Sequence, residues 1–229
     1  MDIISGIKIG VCAWNIFSTI APKLTSVMTE FANRLQELSA KYPSLEGFAK
    51  IVSKAADFMG DVLYALGIES DRADVMGVKM SQPDTKGIEE FKSAEDYISY
   101  LKNEVELDNA KFDKMSPEEK AVYTIGGLAV QTEAVKEKLG IELSADAIEL
   151  IGRIADSGKC DINAKDIIAF AESMKKDGIT NMDDVCDCLK GTGNSDRLKT
   201  GESMLNALET LHPGEGNDII DDLETVARS

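Results

Sequence analysis

Apolar residues recur along this chain in steps of three and four, the period of helices with one buried face, and no segment requires a strand. The best-marked helix is predicted over residues 116–140. Ser116 stands where an N-cap belongs, Pro117 suits the first helical position, and Glu119 is placed to complete a capping box. Ala121, Val122, Ile125, Leu128, Ala129, Val135 and Leu139 then form one apolar face. Lys136 and Lys138 lie near the negative end of the helix, and Gly140 can take the left-handed conformation that stops it.

Residues 3–21, IISGIKIGVCAWNIFSTIA, are the most apolar stretch. Ile3, Ile4, Ile7, Val11, Trp14, Phe17 and Ile20 fall mostly on one side of a helix, with Lys8 and Asn15 elsewhere. A membrane span needs no such sidedness, so the expectation is a buried helix with Trp14 packed against the next two helices or across a dimer. Membrane association through residues 3–21 is the alternative. The length is just adequate and Gly6-x-x-x-Gly10 has a helix-dimerisation spacing, but Lys8 sits inside that motif. A secretory signal fits poorly, because the start, Met1-Asp2, is not basic.

Pro22 is predicted to open a helix with a narrow seam of Leu24, Val27, Met28, Phe31, Leu35 and Leu38, ended by Tyr42-Pro43. Ser44 caps a third helix that runs to Leu66 and stops at Gly67. A short helix covers residues 71–80, a loop follows at 82–87, Ser93 starts another helix, and residues 107–115 form a connection. Beyond Gly140, three local repeats of an apolar residue, a capping side chain and an acidic residue predict three short helices, turning at Gly158 and Gly178. Ser195 and Asn217 are expected to cap two more. The predicted fold is all-α, a multi-helix bundle of about nine or ten helices with no sheet.

Charge adds a division that the apolar pattern does not show. Of a net charge of −16, residues 1–82 carry 8 basic and 9 acidic side chains, leaving 17 basic and 32 acidic, a net of −15, for 83–229. The expected organisation is therefore an apolar N-terminal helical bundle at 1–82 and an acidic helical domain at 88–229, with one domain over the whole chain as the alternative. A surface this negative repels phosphate backbones, which argues against nucleic acid and suits a basic protein partner.

The chemistry-bearing residues form no recognisable constellation. In the calcium-loop-like run 156–163, aligning Ile162 with the hydrophobic eighth position puts Lys159 on a ligand position and Cys160 on the glycine position, so no calcium site is predicted. Cys186 and Cys188, two apart on a helix, point about 200° from each other and cannot close on one ion. With Cys12 and Cys160 they read as reduced thiols of a cytoplasmic protein. The one histidine, His212, precedes a proline at a helix end. Gly126-Gly127 weakens its helix by about 1 kcal/mol per glycine relative to alanine, and the expected return is close approach of another helix.

No catalytic, cofactor or metal residues are assigned. Trp14, Phe17, Gly126 and Gly127 are the candidate interface residues, and the N-terminal helices are where oligomerisation would occur. The function expected is that of a non-enzymatic interaction protein, an accessory, adaptor or neutralising partner, with a membrane-associated helical protein as the alternative.

Overall fold

The computed structural model describes residues 15–159, 162–192 and 197–229. The described part of the first helix, α1, covers residues 15–20. Eleven more follow: α2 Ser26–Leu38, α3 Leu45–Ala65, α4 Ala73–Met80, α5 Ala94–Glu104, α6 Asn109–Phe112, α7 Pro117–Leu139, α8 Ala145–Ser157, α9 Ala164–Lys176, α10 Met182–Lys190, α11 Arg197–Leu211 and α12 Gly216–Arg228. Among the described residues there is no strand, only an isolated bridge between Glu142 and Asn181.

Local chemistry sets most of these boundaries. Ser44, Ser93, Ser116, Ser144, Asn163 and Asn181 each accept a backbone N–H from the first turn of the helix they precede. Gly140, Gly158 and Gly191 end α7, α8 and α10 in the left-handed conformation. Three boundaries differ from the sequence reading. Pro22 opens only the 3-10 turn Ala21–Lys23, and α2 begins after Thr25, whose hydroxyl accepts the Met28 N–H. The connection 107–115 contains the single turn α6. Asn217 is not a cap, because α12 has already begun at Gly216. Glu209 of α11 takes over that role: its carboxylate accepts the N–H groups of Gly214 at 2.6 Å and Gly216 at 3.1 Å. Ser195 lies outside the described residues.

α7 is the axis of the fold. It is buried on every side between Ala121 and Thr132, not along one face, because α2, α3, α4 and α5 all pack around it. The tightest crossing is with α4. A Cβ built on Gly77 would lie 2.0 Å from the Tyr123 carbonyl oxygen, and one on Gly127 would lie 2.1 Å from that of Ala73. The pairs Ala73/Gly77 and Tyr123/Gly127 thus meet in antiparallel order, backbone on backbone.

The buried apolar residues form two cores. The first runs from Phe17 to Ala171 and the second from Ala147 to Ala227. The compositional break at 82–88 does not separate them, since α4 lies before it and packs on α7 beyond it. α8 belongs to both cores: Ala145 and Ile148 face the first, Ala147 and Leu150 the second. Polar links reinforce the join. Tyr42 donates to the buried Glu149 of α8, Arg153 approaches Glu149 at 3.8 Å, and Arg153 also donates to the Val226 carbonyl of α12. Phe17 and Ile20 are both buried in the first core. No helix among the described residues is long and apolar enough to cross a membrane.

Candidate functional site: a cleft floored by Gln131

Gln131 sits within α7 at 0% exposure, and neither its Oε1 nor its Nε2 has a hydrogen-bond partner. Leaving both ends of a buried amide unpaired costs about 1–3 kcal/mol per group, so such a residue calls for an explanation. It lines the floor of an open cleft of about 430 Å³. That volume falls within the range of about 300–1,000 Å³ usual for ligand pockets. α3 contributes Ala56, Asp57, Gly60, Asp61 and Tyr64. The loop before α4 contributes Ile68 to Arg72, and α5 contributes Lys102.

The opening exists because α3 carries small residues over the amide. Ala56 and Gly60 are one turn apart, and a Cβ on Gly60 would still be 4.0 Å from Gln131 Nε2. A large side chain at position 60 would fill that space.

The cations around the cleft are engaged. Lys102 pairs with Glu69 at 2.7 Å, and the hydrogen bond and charge of Lys102 hold the Glu69 carboxyl below its ordinary pKa. Lys79, itself buried, pairs with Asp71 at 2.7 Å and donates to the Leu101 carbonyl at 2.9 Å. Arg72 grips Asp74 through two bonds of 3.2 Å. Asp57 and Asp61 have no such partner among the described residues, so the lining holds two uncompensated carboxylates. Tyr64 stands beside them at 76% exposure, one of the few large hydrophobic side chains on the surface.

None of the residues singled out from the sequence lines this cleft. Trp14 lies outside the described residues, and Phe17 is 4% exposed in the first core. Gly126 receives the Ile20 side chain, whose Cγ2 would be 2.9 Å from a Cβ there, and Gly127 receives the α4 backbone. Gln131 went unnoticed because glutamine on a helix reads as solvated. Its register did carry a signal, lying three residues after Leu128 and four before Val135 on the apolar face.

Elsewhere the polar chemistry is structural. Cys186 and Cys188 are buried and outside any disulfide, and burial pushes Cys186 up to about 12. Cys12 and Cys160 lie outside the described residues. His212 Nε2 is buried 3.5 Å from Asp166 Oδ2 without forming a hydrogen bond. Asp166, three residues beyond the calcium-loop-like run, accepts the Asn163 N–H at 3.0 Å and so helps cap α9. Among the described residues, no group of three or more His, Cys, Asp or Glu could hold a metal ion. An apolar cavity of about 80 Å³ lies where the two cores meet, bounded by Met59, Leu139, Leu150 and Leu208 among others.

No protein-family model matches the chain, and no curated protein or solved structure matches it either.

Proposed function

We propose that this chain is a non-enzymatic interaction protein whose partner is a basic protein. The observation that carries the reading is the set of exposed carboxylates on α10 and α12. These two helices pack together, so Asp184, Asp187, Asp218 and Asp221 are exposed on neighbouring helices. None of the four has a cationic partner among the described residues; the Arg228 of α12 is committed to Glu224 at 2.8 Å. Surface carboxylates left without counter-charges create a negative field that speeds encounter with a basic surface and disfavours nucleic acid. The buried thiols of Cys186 and Cys188 are reduced, which supports a cytoplasmic setting.

The test is affinity capture with the chain as bait at low salt, repeated at high salt, beside a variant carrying Asp184→Asn, Asp187→Asn, Asp218→Asn and Asp221→Asn. The reading expects a basic partner that salt releases and the variant fails to retain. A neutral or acidic partner, held equally by both baits and at both salt concentrations, rejects it.

A further inference from the structure

We infer that the cleft over Gln131 is a peptide-docking site that takes an arginine side chain together with that residue's own backbone N–H and C=O. The inference rests on the proposed preference for a basic protein partner and names the group that partner must present.

The floor sets the first requirement. The Gln131 amide offers one acceptor and two donor hydrogens side by side, all unsatisfied. An extended residue presents its own N–H and C=O on the same side of the chain, so the backbone of one residue satisfies both ends of the side chain. An aliphatic ligand would leave the penalty in place.

The rim sets the second. Asp57 and Asp61 are four residues apart on α3, which puts their Cβ atoms about 5–6 Å from each other on one face of the helix. A guanidinium carries five N–H donors in a planar fork and can serve both carboxylates at once, whereas an ammonium is a single point charge. Tyr64, three residues after Asp61, lies on the same face and offers an exposed ring on which a guanidinium can stack. Arg72 and Lys102 do not repel such a guest strongly, because Asp74 and Glu69 already neutralise them. The order from floor to mouth is therefore a neutral amide, two carboxylates and an aromatic ring, which matches an arginine residue read from backbone to side-chain tip.

The experiment is calorimetric titration of the full chain with a short peptide, blocked at both ends and containing one arginine, against the same peptide with citrulline in its place. Citrulline keeps the shape and removes the charge. The expected result is saturable binding of the arginine peptide, weakened about tenfold or more by citrulline, by Gln131→Leu and by the double change Asp57→Asn/Asp61→Asn. The two aspartates are exposed, so the double variant tests the rim even if the Gln131 variant fails to fold. Binding unaffected by either cleft variant overturns the inference and leaves a water as the partner of Gln131. Loss of binding only in the α10/α12 variant also overturns it, while leaving the basic-partner reading intact. Absence of binding at millimolar peptide overturns the cleft assignment alone, provided that affinity capture still yields a salt-released basic partner.

Discussion

The Ala73 carbonyl oxygen lies 2.1 Å from the point that a Cβ on Gly127 would occupy. Real Cβ atoms do not approach backbone so closely, and neither helix can retreat without losing the rest of the α4–α7 contact. Gly127→Ala should therefore destabilise the fold by about 3 kcal/mol or more, the severe end of overpacking, outweighing the helix propensity alanine adds. The neighbouring Gly126 faces only the Ile20 side chain, which can change rotamer. Gly126→Ala should cost about 1 kcal/mol or less. Urea unfolding of the two variants measures the difference; equal midpoints would show that the α4–α7 crossing yields easily.

Gln131→Leu removes an unpaired buried amide and supplies apolar atoms of similar size. It should raise unfolding stability by about 1–2 kcal/mol, because the penalty for an unsatisfied buried group disappears. Loss of stability in this variant would mean that the amide is paired in solution.

Stability should fall on the alkaline side. Burial raises the folded-state pKa of Cys186 to about 12, against about 8.5 in an unfolded chain. The native state keeps a proton that the unfolded state has lost, so the contribution is complete below pH ~8.5 and declines as pH rises toward ~12. Tyr97, fully buried and donating to the Lys86 carbonyl at 3.1 Å, is raised above its usual value chiefly by desolvation and adds to the decline above pH ~10. Each group contributes at most about 1.4 kcal/mol per pH unit. Urea midpoints from pH 7 upward should show the decline, and Cys186→Ala should make its early part shallower. A flat profile up to pH ~10.5 would contradict the assignment.

Glu209 joins α11 to α12 by receiving two N–H groups at the turn. Glu209→Ala should cost about 1 kcal/mol, the usual value of a lost cap, whereas Asn217→Ala should cost much less. Thermal unfolding of the pair checks this, and a larger effect at Asn217 would restore it as the cap.

Much of the helix plan was legible because caps and stops are local. Ser116, Glu119 and Gly140 mark α7 in the sequence as they do in the structure. The all-helical fold and a close helix approach at Gly126-Gly127 follow from the same kind of reading. What the sequence hid depends on distant parts of the chain. The Glu209 cap spans two helices, and no pattern around Asn217 reveals it. The break in charge at 82–88 describes the surface, whereas Ala73 and Gly77 assign α4 to the core beyond it. The cleft needs α3, α5 and α7 brought together, and its two informative features are a missing side chain at Gly60 and missing partners at Gln131. Absences of that kind become visible only after packing.

The double membership of α8 also orders how the native protein opens. Ile148 and Leu150 commit one helix to both cores, and Glu149 and Arg153 tie it to Tyr42 on one side and Val226 on the other. Partial unfolding can therefore release α11 and α12 while α8 stays clamped on α3. The reverse order is disfavoured, because freeing α8 removes contacts from both cores together. In hydrogen exchange, amides of the last two helices should form the early unit, and those of α8 should exchange only with the globally unfolded chain.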